Sequence, residues 1–299
     1  GVRFDNAGFF PQSGFFQAPH KSELKNVDIA IAGSPLDLGA IGLAGGRHGP
    51  ESIRKWSHVM GPYHDVTGNI PFQQCNIIDY GDLAFDYAKI SAFPAALKSH
   101  IQTILDADVA SIALGGDHYV SFPILQAYAE KYGPLSLLQF DAHSDTWPDD
   151  DMSRVDHGTM FYKAVKTGLI DPSRSVQVGI RTTNEDPLGV NIIDAREVHE
   201  TGPVAVAKKI KSLLGDAPTY LSFDIDCLDP GFAPGTGTPV WGGLSSRQAA
   251  SILRDIAGIN MVGGDVVEVS PQYDTSGATA IAGAHVALEL ICIWAATRV

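Results

Sequence analysis

Eight short apolar runs, each separated from the next by a stretch with helical periodicity, constrain this chain more than any single motif. They are VDIAIAG (27–33), CNIIDYG (75–81), ASIALGG (110–116), LSLLQFD (135–141), SVQVGI (175–180), VNIID (190–194), TYLSFDID (219–226) and MVGGDVVEV (261–269). Several are apolar at odd and even positions alike, the pattern of strands covered on both faces. Helices are expected over about 50–59, 93–106, 120–131, 159–166, 203–214, 246–257 and 277–296, with Pro50 and Pro203 suited to a first helical turn. Such alternation predicts an α/β fold of three layers, α/β/α, around a mainly parallel sheet of about eight strands. No linker, low-complexity tract or long repeat divides the chain. Residues 27–299 therefore read as one domain, with 1–26 as an N-terminal arm expected to belong to it. The arm's aromatics, in GFFPQSGFF (8–16), are expected to pack on the chain's own core rather than on a neighbouring subunit.

Charge and cysteine content exclude some functions. The formal charge is −13 and no basic stripe interrupts it, which argues against a nucleic-acid partner. No apolar run is expected to reach the roughly 18–20 residues of a membrane span. Cys75, Cys227 and Cys292 are far apart and form no CxxC pair, so they read as reduced thiols of a cytoplasmic protein. No strand is followed by GxGxxG, which removes a dinucleotide-binding reading.

In an open α/β sheet, ligands bind beyond the carboxyl ends of the strands. Three such ends carry metal-ligand residue types here. ALGGDHY supplies His118, QFDAHSD supplies Asp141, His143 and Asp145, and SFDIDCLDP supplies Asp224 and Asp226. Period-two geometry would send Asp224 and Asp226 to the same side while the chain stays extended. Each piece alone has a plain structural explanation: a helix-capping Asp117, a satisfied histidine, a solvated strand end. Pooled, they form an acidic cluster that only positive charge would stabilise. Four carboxylates supply about −4 and two divalent cations +4, and an oxygen-rich set with imidazole and no thiolate suits manganese. Two such ions can activate a bridging water as hydroxide.

These strings resemble the ureohydrolase (arginase/agmatinase) family, most closely its agmatinase branch. The resemblance runs in order through AGGRHGP, GGDHY, DAHSDTW, DHGTMFYKA, SFDIDCLDPGFAPGTGTP and VVEVSPQYD, from about residue 27 to the C-terminus. It implies an arginase-like fold, two Mn²⁺ per subunit, and hydrolysis of a guanidino group to urea and an amine. By matching position, His118, Asp141, Asp145 and Asp224 would hold one ion, and Asp141, His143, Asp224 and Asp226 the other. The resemblance also implies a homo-oligomer, trimer or hexamer. A deacetylase on the related fold would use one zinc and fewer carboxylates; a metal-storage or regulatory protein would bind manganese without releasing urea.

A guanidinium carbon is a poor electrophile, so the substrate must be held flat against the nucleophile. Glu268, at the end of the last strand, is the expected carboxylate clamp. Asp145 is expected to take and pass on a proton, and His157 to carry it to the leaving amine or to bulk water. Trp147, Thr236 and Thr238 are expected to line the pocket. The loop WPDDDMSRVDHG (147–158) should border the entrance. Its Asp149, Asp150 and Asp151 favour a cationic tail such as that of agmatine. Arg154 points the other way, toward 4-guanidinobutanoate or 3-guanidinopropanoate. Agmatine hydrolysis is the favoured reading, with a guanidino-acid hydrolase as the alternative. Arg47 and His48 are read as the start of a helix, and His285 as structural.

Overall fold

The computed structural model describes residues 14–59, 64 and 71–298. The strands are β1 (Ile29–Ser34), β2 (Ile77–Asp82), β3 (Ala110–Gly115), β4 (Ser136–Phe140), β5 (Val176–Val178), β6 (Asn191–Ile193), β7 (Thr219–Asp224) and β8 (Met261–Val267). The helices are α1 (Gly49–Ser57), α2 (Pro71–Gln74), α3 (Phe93–Asp106), α4 (Ser121–Tyr132), α5 (Met160–Lys166), α6 (Ala195–Thr201), α7 (Pro203–Leu214), α8 (Ser246–Asp255) and α9 (Ala278–Ala295). One sheet contains all eight strands in the order β2-β1-β3-β8-β7-β4-β5-β6, and every paired neighbour is parallel.

The strands are buried and mostly apolar at odd and even positions alike because both faces are covered. Leu138, Phe140, Leu221 and Phe223 join a core with α1, α7, α8 and α9. The alternate residues Leu137 and Tyr220 join a second core with α3, α4 and α5. Phe140 stacks on Phe223 across β4 and β7, with ring centroids 5.2 Å apart.

The helices expected from sequence form within a residue or two of their anticipated ends. Two short helices were not anticipated, α2 and α6. The start of α6 carried a local signal, since Asp194 accepts the Glu197 N–H at 2.7 Å as an N-cap. Contrary to the sequence reading, α9 is long and apolar enough by composition to cross a membrane, yet 72% of that stretch is buried inside the protein. Its apolarity serves the core, where Leu288, Leu290, Ile291 and Ile293 pack.

Phe15 and Phe16 pack into the core as expected. Their backbone N–H groups donate to Asp79 Oδ2 and Ser57 Oγ. Phe9 and Phe10 lie outside the described residues.

Truncating a stacked core ring should be costly. Phe140→Ala is expected to destabilise the fold by about 3–5 kcal/mol in urea unfolding; a loss below about 1 kcal/mol would remove this pair from the core.

Candidate metal centre

The carboxyl ends of β3, β8, β7 and β4 lie side by side in the middle of the sheet. His118 follows β3 in a short turn capped by Asp117, whose Oδ1 accepts the Tyr119 N–H at 3.2 Å. Asp117 Oδ2 also accepts the Gly39 N–H at 2.7 Å, tying the loop after β1 to the site. Asp141, His143 and Asp145 follow β4 in irregular backbone. Asp224 ends β7, and Asp226 lies in the turn Ile225–Cys227.

That turn corrects the period-two expectation. The chain leaves the extended conformation at Asp224, whose side chain accepts the Asp226 N–H at 2.8 Å. The two carboxylates then reach different imidazoles. Asp224 Oδ2 lies 3.2 Å from His118 Nδ1, whereas Asp226 Oδ2 lies 3.1 Å from His143 Nδ1. Asp145 also departs from extended geometry, with φ of 52°, and Glu268 has φ of 62°. Left-handed backbone at two such non-glycine residues is the kind of strain that gathers at functional sites.

All six predicted ligands come together, in two groups. His118, Asp141 and Asp224 form one; Asp141, His143 and Asp226 form the other. Asp145 Oδ2 joins the first at 2.9 Å from His118 Nδ1. Asp141 belongs to both, with Oδ2 3.1 Å from His118 Nδ1 and Oδ1 3.4 Å from His143 Nδ1.

The residues fit a pair of divalent cations. His118 Nδ1 is fully buried and makes no hydrogen bond, although three carboxylate oxygens surround it. Its other nitrogen, Nε2, lies 2.8 Å from Ser222 Oγ, which donates to Asp265 Oδ1 at 2.6 Å. Asp265 Oδ2 accepts from Ser121 Oγ and Tyr220 OH, each at 2.7 Å. Ser222 thus spends its proton on Asp265 and accepts one from Nε2–H. Nδ1 is therefore the nitrogen that a cation would find once its proton is displaced, which is how a metal-ligating imidazole is oriented. Phe161 stands edge-on to the ring at 5.2 Å. Cys227 turns its thiol toward the Val178 carbonyl instead, so no sulfur enters the donor set.

Without cations between them, the same groups compete for protons. Burial opposes charge on His143, yet Asp141 and Asp226 outweigh it and push the imidazole up to about 12. Burial opposes charge on His118 as well, and Asp141, Asp145 and Asp224 together lift it well above its ordinary value. Burial and Asp226 push Asp224 well up, and burial with Asp141 pushes Asp145 to about 6. Burial would raise Asp141 also, but the two imidazoles hold it low.

Beside the cluster, His157 Nδ1 lies 2.8 Å from Glu268 Oε1. Burial lowers the His157 pKa, but Glu268 more than compensates and raises it to about 9. The Ile41 N–H donates to His157 Nε2 at 3.0 Å, an interaction that only the neutral ring accepts. Glu268 Oε1 takes a further bond from the His118 N–H at 2.8 Å.

A cleft of about 370 Å³ opens onto the cluster, lined by Ile41, His143, Asp145, Trp147, His157, Gly158, Asp224 and Thr238. Thr238 Oγ1 donates to Asp226 Oδ2 at 3.3 Å. Thr236 does not reach the cleft wall; it is buried. Glu268 is 2% exposed and meets the cleft through His157. The glycines of GTGTP serve close approach: a Cβ on Gly237 would sit 3.0 Å from the Leu43 carbonyl and 3.4 Å from Glu268 Oε2.

The predicted acidic rim has other work. Asp149 Oδ2 pairs with the buried Lys163 at 3.1 Å, Asp150 accepts from Tyr162 OH, and Asp151 accepts from the Ser153 N–H. Arg154 pairs with Asp156 at 2.7 Å and does not line the cleft. Arg47 bonds Asp37 at 2.6 Å and lies over the Tyr87 ring, so it braces the loop after β1. His285 is exposed on α9. Sequence reasoning missed Ile41, which has no distinguishing pattern, and the buried polar residues Ser222 and Asp265. The latter two left a trace as polar residues inside apolar runs.

The arginase family model matches residues 27–292. The chain belongs to the arginase family. It is an agmatinase-type ureohydrolase, a family whose members use a binuclear metal centre. An agmatinase of Chromobacterium violaceum is 50% identical, over 93% of this chain and 87% of its own length. One from Salmonella paratyphi B is 42% identical, over 100% and 98% respectively. A crystal structure titled as a hypothetical agmatinase from Burkholderia thailandensis superposes with a TM-score of 0.94 at 50% identity, covering 96% of this chain and 92% of the other. Proclavaminate amidino hydrolase from Streptomyces clavuligerus superposes at 0.93 with 36% identity, covering 97% and 99%. The match in this ureohydrolase therefore extends over relatives with differently named substrates.

Because the imidazoles hold protons until a cation displaces them, manganese should bind more tightly as pH rises from about 6 to 8 and should release protons as it does. Calorimetry in buffers of different ionisation enthalpy checks this; pH-independent binding with no proton release would show neutral imidazoles at the outset. Asp226→Asn should lower metal occupancy and urea release together, by at least roughly the 10–100-fold that loss of an outer partner costs. Unchanged occupancy would remove Asp226 from the donor set.

Proposed function

We propose that this protein hydrolyses agmatine to putrescine and urea at a binuclear manganese centre held by His118, Asp141, His143, Asp145, Asp224 and Asp226. When bound, the ions would supply an activated water for attack on the guanidinium carbon. The rest is done by side chains. Glu268 is the carboxylate available to the guanidinium, with Oε1 engaged by His157 and the His118 N–H. A full fork to the substrate therefore requires His157 to turn from Glu268. Asp145, pushed to about 6, can hold a proton near neutral pH and release it. His157 can carry that proton outward once its Nε2 parts from the Ile41 N–H. Trp147 and Ile41 flank the cleft with apolar surface and limit water around the reacting group.

The choice of agmatine rests on the cleft lining. Among the described residues it contains carboxylates, imidazoles, a threonine and apolar groups, and neither lysine nor arginine. A guanidino acid would bring a carboxylate with no lysine or arginine to meet it among the described lining residues, since Arg154 is committed to Asp156. The acidic-rim argument lends less support, because Asp149 and Asp150 are bonded within their own loop. The names of the agmatinase relatives support the same choice. The reading includes a cytoplasmic location, a single catalytic domain over 27–299 with residues 1–26 as its arm, and a trimer or hexamer.

Urea release from manganese-loaded protein, measured with agmatine, 4-guanidinobutanoate, 3-guanidinopropanoate and arginine side by side, tests the substrate. Agmatine should be turned over fastest; a guanidino acid well ahead of it would overturn the assignment. His157→Ala should reduce kcat by roughly 10²–10⁴-fold with metal content unchanged. Loss of metal from that variant would instead make His157 part of the donor set.

A further inference from the structure

One register row of the sheet carries polar side chains through an otherwise apolar layer. Gln177 on β5 pairs with Gln139 on β4, Gln139 with Ser222 on β7, and Ser222 with Asp265 on β8. All four residues are fully buried. A buried amide donor left unbonded carries an uncompensated desolvation penalty, so such a row persists only where its donors are used. The Ser222–Asp265 half orients His118. The glutamine half lies on β4 and β5.

Its hydrogen bonds have a fixed direction. Gln177 Nε2 donates to the Ser144 carbonyl at 2.6 Å and to Gln139 Oε1 at 2.7 Å. Gln139 Nε2 donates to Asp141 Oδ2 at 2.7 Å and to the His143 carbonyl at 3.2 Å. Each amide nitrogen has two hydrogens, and both are spent. The Ser144 carbonyl can only accept, so Gln177 must turn its nitrogen there. Gln139 must then offer Gln177 its oxygen, which leaves its nitrogen for Asp141. Gln177 Oε1 stays buried without a partner, and the orientation holds despite that cost.

At Asp141 the effect is one-sided. Oδ2, which takes the Gln139 bond, is the oxygen facing His118 Nδ1 at 3.1 Å. Oδ1 is fixed separately by the His143 N–H at 2.6 Å and faces His143 Nδ1.

We infer that Gln139, oriented by Gln177, is a positioning residue that aims Asp141 Oδ2 at the cation of the His118 group, so that this ion depends on the glutamine pair more strongly than the ion of the His143 group does. The inference rests on the two-ion reading of the centre.

Gln139→Met and Gln177→Met keep nearly the same volume and remove the donors. Manganese titrations followed by electron paramagnetic resonance should show the parent taking up two coupled ions. Gln139→Met should hold one ion nearly as the parent does and the other roughly 10–100-fold more weakly, giving an isolated-ion spectrum where the parent gives a coupled one. Gln177→Met, which touches no ligand, should weaken the same ion to a lesser degree. In a His118→Ala background, adding Gln139→Met should change the remaining ion's affinity by much less than it changes that of the His118-group ion in the parent. Parent-like affinities and coupling in Gln139→Met would overturn the inference. So would equal loss of both ions in step with a lower melting temperature of the metal-free protein, which marks simple packing. Failure of the parent itself to take up two ions is a separate result and would overturn the two-ion centre along with its supporting row.

Discussion

Four carboxylates and two imidazoles packed inside an apolar sheet cannot share that space unless positive charge is placed among them. That requirement governs the rest of the molecule. Asp141, Asp145, Asp224 and Asp226 are nearly or fully buried, with oxygens within 3.4 Å of one or both imidazole nitrogens. Without cations, protons fill the need, as the raised His118 and His143 imidazoles and the raised Asp224 carboxyl show. A site so arranged suits divalent ions. The same demand accounts for the tautomer of His118, whose Nε2 is committed to Ser222 so that Nδ1 faces the cluster.

The sheet makes this arrangement possible by keeping the ligands on strand ends while helices cover both faces. A parallel strand needs no polar side on either face, so polarity can be reserved for the carboxyl ends and for one row beneath them. β8 enters between β3 and β7, and its end delivers Glu268 next to the His118 turn. His157 joins the group from the loop before α5, held between Glu268 and the Ile41 N–H. Loops from distant parts of the sequence therefore meet over four neighbouring strand ends.

Much of this was legible in the residues. Runs apolar at consecutive positions identify covered parallel strands without any knowledge of their order, because burial on both faces leaves no alternation. Ligand identities were legible because aspartate and histidine at strand ends have few other uses in such number. The acidic loop was harder to read. Asp149 and Asp150 look like a rim for a cationic tail, but composition does not reveal that Lys163 and Tyr162 claim them. Nor does the spacing of Asp224 and Asp226 reveal the turn that sends them to different imidazoles. Gln139 and Gln177 lie 38 residues apart and meet only through strand pairing.

By itself the sequence determined the strands, the helices and the chemical character of the centre, because periodicity and ligand type are local properties of the chain. Tertiary structure alone decided the strand order, the insertion of β8 between β3 and β7, the division of the carboxylates between two imidazoles, and the partners of the loop charges. Those depend on which distant segments meet, and on backbone turns at Asp145, Asp226 and Glu268 that side-chain identity does not encode.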